Sequence, residues 1–101
     1  MRVIEGVNWN DSSSDLAKTF YDQQIMQFWT EDEIPVSDDI GAWKKLDTKI
    51  QDVFMKALTG LTQLDTEQGG IGMPIITIHC DNLHYKGVFA LFSAMEEIHA
   101  K

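Results

Sequence analysis

The sequence predicts an all-α fold with three principal helices, and three observations carry that prediction. Ile50, Val53, Phe54, Ala57, Leu58, Leu61 and Leu64 trace one apolar stripe at i, i+3, i+4, i+7 spacing. Leu16, Phe20, Ile25, Phe28 and Trp29 recur at mostly helical spacing, as do Val88, Phe89, Leu91, Phe92, Met95 and Ile98. The single stretch with strand propensity, Ile71 to Cys80, has no second strand to pair with.

Taken in order, residues 1–13 read as an irregular arm. A serine N-cap with Asp15 in the first turn starts a helix that the apolar spacing carries from Asp15 to Trp29. Residues 30–37 form an acidic connector, in which Pro35 disfavours helical geometry at Ile34. Ser37, Asp38 and Asp39 then signal a short helical turn through Trp43 and Leu46. The striped helix follows from about Thr48 to Gln68, and Gly69-Gly70 is expected to stop it. Residues 71–80 read as an extended or loosely helical connection, because β-branched residues follow Pro74. A last helix runs from Asn82 to Lys101 without a stop signal.

With 101 residues, one compact domain, 1–101, is the default expectation. Sixteen acidic against eight basic side chains give a net charge of -8, which argues against nucleic acid as a partner. Cys80 is the only cysteine, which excludes an intrachain disulfide and a multi-cysteine zinc site and suits a reducing cytoplasm. No apolar run approaches the roughly 20 residues of a bilayer span, and Met1 to Glu5 has no signal-peptide character. A cytoplasmic location without membrane contact is expected.

Two features carry chemistry. Asp65 follows Leu61 by four residues and Leu58 by seven, which sets its carboxylate on the apolar stripe. A buried carboxylate must be protonated, paired or metal-bound, although a frayed helix end would leave it solvated. The second feature is Glu96-Glu97-Ile98-His99. Glu96 and His99 lie about 60° apart on a helix and continue the face of Phe89 and Phe92, whereas Glu97 projects away. Glu-x-x-His is the spacing by which helical bundles hold di-iron or di-manganese pairs, and a surface ion pair is the ordinary alternative.

Three segments together resemble a known family: Gln27-Phe28-Trp29-Thr30-Glu31-Asp32-Glu33-Ile34-Pro35, Leu58 to Gln68, and Met95-Glu96-Glu97-Ile98-His99-Ala100-Lys101. In order and spacing they are similar to the N-terminal third of the small, radical-generating subunit of class I ribonucleotide reductase, most of all its class Ib type. The resemblance implies the first half of a ferritin-like bundle. It implies that Asp65 and His99 ligate the first metal, that Glu96 bridges, and that Trp29 lies on the radical path to the large subunit. Iron or manganese, dinuclear in the complete subunit, would be the cofactor. His79 and His84 match no ligand position, and Trp9 and Trp43 read as packing residues.

The family's segment continues past the histidine into the radical tyrosine, and its later helices supply the remaining ligands. The expectation is therefore an N-terminal portion of the subunit, inactive by itself. A homodimer that covers the apolar stripes is expected, with the metal absent or shared between two copies of Asp65, Glu96 and His99. The rival reading is a non-catalytic helical interaction module or phage remnant that binds itself or host reductase subunits.

Overall fold

The computed structural model describes residues 3–101, except for the side chain of Ser12. Met1 and Arg2 of the expected arm therefore lie outside the described residues. Five helices follow in order: α1 (Asp15–Met26), α2 (Ile40–Trp43), α3 (Thr48–Glu67), α4 (Met73–His79) and α5 (Leu83–Ala100). No strand occurs among the described residues, and the three longest helices are the three that the sequence predicts.

The helix starts have local causes. The Asp47 side chain accepts from the Lys49 backbone N–H (2.8 Å), and that of Asn82 accepts from Tyr85 N–H (3.1 Å), so α3 and α5 each begin on a side-chain cap. The start of α1 differs from expectation. Ser14 makes no cap bond; its hydroxyl donates backward to the Asp11 carbonyl (2.5 Å), after a 3-10 turn at Ser12–Ser14. The predicted end also shifts, because α1 stops at Met26 and leaves Trp29 in the loop. Apolar spacing extended the prediction too far, since Phe28 and Trp29 are apolar for a reason other than the helix.

Helix α3 ends at Glu67, just before Gly69-Gly70 as expected, but the chain does not leave helical geometry there. The chain passes from α3 into a π-helical turn, Gln68–Gly72, and directly into α4. None of the described glycines takes a positive φ, so neither Gly69 nor Gly70 serves as a left-handed cap. Gly69 is instead buried against α5. A Cβ there would meet Glu97 Oε1 at 3.0 Å, Glu96 Cβ at 3.1 Å and the Ser93 carbonyl oxygen at 3.1 Å. Residues 71–80 are likewise helical through His79 rather than extended. Pro74 falls in the first turn of α4, where a missing N–H costs little, so it starts this helix.

Helix α5 is the centre of the molecule. The turn at 80–82 sends α5 back antiparallel to α4, and Gly69 sits beside Ser93, Glu96 and Glu97. Helix α1 runs parallel to α5, since Trp9 contacts His84 near one end and Trp29 contacts His99 near the other. Ala17 of α1 and Val88 and Met95 of α5 are the buried apolar residues.

The remaining apolar surface is open. On α3, Phe54, Leu58, Leu61 and Leu64 are 49, 55, 56 and 67% exposed, so the stripe that the sequence assigns to a core is only partly covered by the described residues. The molecule measures 61 × 26 × 17 Å with a radius of gyration of 18.6 Å, against about 13 Å for a compact domain of this size. The described chain is thus elongated. An open groove of about 370 Å³, lined by Val36, Ile40, Trp43, Met55 and Leu58, runs between the α2 region and α3.

Candidate metal-binding half-site

Glu96 and His99 lie one turn apart on α5, as i, i+3 spacing requires. His99 Nδ1 stands 3.6 Å from Glu96 Oε2, too far for a hydrogen bond and close enough for both to face one ion. Their side chains are 39 and 28% exposed. With Gln24, Phe92 and Met95 they line a shallow cavity of about 220 Å³ between α1 and α5.

Asp65 is half-buried near the end of α3. Gly69, one turn later, touches Glu96, and the antiparallel course of the two helices sets Asp65 level with the last turn of α5. It does not line the cavity. Among the described residues, no group of three His, Cys, Asp or Glu side chains is placed to hold a metal ion. Of the three expected ligands, then, the fold pairs Glu96 with His99 and leaves Asp65 on the neighbouring helix. Two carboxylates and an imidazole suit iron or manganese as donors, and they amount to half of the four carboxylates and two histidines of a bundle dimetal site.

Trp29 stacks on His99, with ring centroids 5.1 Å apart and 12° between the planes. The loop that carries it is tied down beyond the ring. The Glu33 carboxylate accepts from Thr30 N–H (3.1 Å), and Lys101 forms an ion pair with Glu31. The hydrogen bond from Lys101 holds the Glu31 carboxyl below its ordinary value, and the same bond raises the ammonium of Lys101.

At the other end of α5, His84 and Trp9 form a second aromatic cluster. Trp9 meets His84 edge-on (5.0 Å, 81°) and Tyr21 at a tilt (5.3 Å, 52°), while His84 Nε2 lies 2.7 Å from the Asn8 carbonyl oxygen. Trp43 packs on Phe54 (6.2 Å, 66°), and the exposed His79 ends α4.

Sequence reasoning missed Gln24, Gly69, Ser93, Glu31 and Lys101. Gln24 had a signal: it follows the buried Ala17 by two turns, so a polar residue sits on the packed face of α1. Ser93, whose hydroxyl donates to the Gly69 carbonyl, had none.

No described helix is long and apolar enough to cross a membrane. The family model of the ribonucleotide reductase small chain matches residues 6–101. Among curated proteins, the chain is 42% identical over 101 residues to the ribonucleoside-diphosphate reductase subunit beta of Bacillus phage SPbeta, covering 99% of this chain and 31% of that protein. It is 36% identical over 98 residues to the ribonucleoside-diphosphate reductase 2 subunit beta of Escherichia coli, covering 97% of this chain and 31% of that protein. Among solved structures, the dimanganese(II)-NrdF of Streptococcus sanguinis superposes with a TM-score of 0.91 at 33% identity, covering 97% of this chain and 35% of that one. The chain thus spans about a third of the length of the relatives that it matches.

Proposed function

The chain belongs to the ribonucleotide reductase small-chain family, and on that premise we propose that it is the N-terminal portion of the subunit that generates and delivers the radical for ribonucleotide reduction. The stacking of Trp29 on His99 carries the reading, because it joins a redox-capable indole to an expected metal ligand in one contact.

In this reading Asp65, Glu96 and His99 would supply this chain's share of the ligands to an iron or manganese pair. When bound, the iron or manganese pair supplies one-electron oxidising power. The chain's own residues orient and insulate. Phe92 and Met95 wall the half-site with apolar surface, which excludes water from one side. Gln24 of α1 lines the same cavity as Glu96 and His99, a neutral group that adds no charge burial. The 3.6 Å separation of Glu96 and His99 leaves lone pairs of both free for an ion. Trp29, itself 36% exposed, offers its outer edge to whatever continues the path, for which the large subunit is the proposed partner.

The three donors fit half of a dinuclear centre and do not fit a closed one. The other half is proposed to come from the further chain that the longer relatives possess, or from a second copy across a homodimer. The open α3 stripe supports either cover. It also suits the second reading, a non-catalytic helical module that docks on reductase subunits. The acidic surface makes nucleic acid an unsuitable partner, and the lone Cys80 suits the cytoplasm.

The deciding experiment mixes this chain with the complementary C-terminal portion of a small subunit and measures bound Mn(II) and Fe(II) and the tyrosyl radical by electron paramagnetic resonance. The half-enzyme reading expects metal uptake and a radical signal that Asp65→Ala, Glu96→Gln and His99→Ala each abolish. Uptake unchanged by those variants overturns the site assignment. A tight complex without metal or radical favours the docking module.

A further inference from the structure

We propose that Glu31 and Lys101 are positioning residues, whose ion pair clamps the loop after α1 onto the last turn of α5 and thereby holds the Trp29 indole stacked on the His99 ring. The functional meaning of the clamp rests on the reading of Trp29 and His99 given above, while its geometry stands apart from it.

The loop has two anchor points at the C-terminal end of α5. Trp29 and Glu31 flank Thr30, whose φ of -120° and ψ of 163° are extended. Side chains two apart on extended backbone point the same way, so indole and carboxylate face α5 together. Their partners are His99, in the last turn of α5, and Lys101, just past its end, whose long side chain reaches the Glu31 carboxylate. One contact would leave the loop free to pivot about it, and two fix its orientation.

The stack alone is a weak restraint. Trp29 is 36% exposed, and α1 has already ended at Met26, so no helical hydrogen bond holds its backbone. The charges favour the second anchor. Glu31, Asp32 and Glu33 crowd three carboxylates into a single 3-10 turn. Glu33 is turned back onto Thr30 N–H, and of the two carboxylates that remain Glu31 is the one that meets Lys101. An exposed ion pair adds little to global stability, so its role here is to set where one ring sits.

The test follows the ring current of Trp29 at His99 by proton–carbon nuclear magnetic resonance on the 101-residue chain. Stacking shifts the His99 ring protons upfield, and Trp29→Leu defines the unshifted position. In Glu31→Gln and in Lys101→Met, at least half of that shift is expected to vanish, while the contact of Trp9 with Tyr21 stays unchanged and reports an intact fold. The reversed pair, Glu31→Lys with Lys101→Glu, is expected to restore it. A full shift retained in both single variants overturns the clamp, and so does failure of the reversed pair to restore what the singles lose.

Adding Mn(II) separates this inference from the reading beneath it. Paramagnetic broadening of His99 tests metal ligation. A clamp that responds to the variants without broadening stands by itself, and the metal reading falls only if broadening is also missing when the complementary C-terminal portion is present. Broadening with a stack that ignores the variants upholds the metal reading and overturns the clamp.

Discussion

The Ser93 hydroxyl donates to the carbonyl of Gly69, and the hydrogen bond fastens the π-helical turn to α5 beside the point where Glu96 meets the same glycine. A π turn shifts the register of the following helix, and such turns gather at functional sites. Here the shift lets backbone approach backbone at the level of the half-site.

That approach requires glycine. In Gly69→Ala the new methyl would meet a backbone oxygen and a Cβ at 3.1 Å, neither of which yields cheaply. A destabilisation of about 1–3 kcal/mol is expected, typical of overpacking. Gly70, one position on, has nothing within 4 Å of an added Cβ and a helical backbone, so Gly70→Ala should stabilise by about 0.4–1 kcal/mol. Urea denaturation of the two variants side by side checks both signs.

The arm before α1 is held by an aromatic, and Trp9→Ala should release it. Trp9 is half-buried against Tyr21, His84 and Gly87. The loss should be roughly half of the 3–5 kcal/mol that a fully buried tryptophan costs. Hydrogen exchange at Asn10 and Asp11, whose amides bond to Asn8, would rise to the unprotected rate while α3 stays protected. Unchanged exchange of the arm would show that Trp9 does not anchor it.

Acid should loosen the turn before α1. The backbone N–H of Ser13 and then its hydroxyl hold the Asp11 carboxyl below the ordinary 3.8, helped slightly by His84 and opposed by partial desolvation. A lowered folded value means that the stabilisation is fully present above 3.8 and disappears as pH falls below it, through the folded value. Asp11→Ala should therefore show a flatter acid limb than the parent chain between about pH 4 and pH 2, read by Trp9 emission. Parallel acid limbs would contradict the assignment.

Core and stripe should respond differently to truncation. Met95→Ala removes one of the few buried side chains and is expected to cost about 2–5 kcal/mol. Leu61→Ser, on a side chain 56% exposed, should cost the isolated chain less than about 0.5 kcal/mol. Sedimentation at rising concentration should show Leu61→Ser weakening self-association, since the open stripe is the surface that a partner would cover.

Helix content and the order of the elements were legible in the sequence, because a 3.6-residue apolar period is a local property of the chain. The Glu96 and His99 pairing was legible for the same reason, since i, i+3 spacing on one helix brings two side chains together without help from the rest of the fold. Trp29 could be named from its neighbours in the chain, but its contact could not. It lies beyond the end of α1, and its partner is 70 positions away on α5.

The tertiary structure decided what local period cannot. Gly69-Gly70 reads as a helix stop until α5 presses against it, and then the missing side chain is a packing requirement rather than a cap. Ile71 to His79 favours a strand by propensity, yet it has no strand to pair with among the described residues and α5 offers a helix a surface to pack on, which outweighs a preference worth under about 1 kcal/mol. The apolar stripe of α3 marks a face that needs cover, but only the three-dimensional arrangement reveals that α5 leaves much of it open. Spacing along a chain determines which residues share a face; which faces meet depends on contacts between residues far apart in sequence, and those form only when the helices pack.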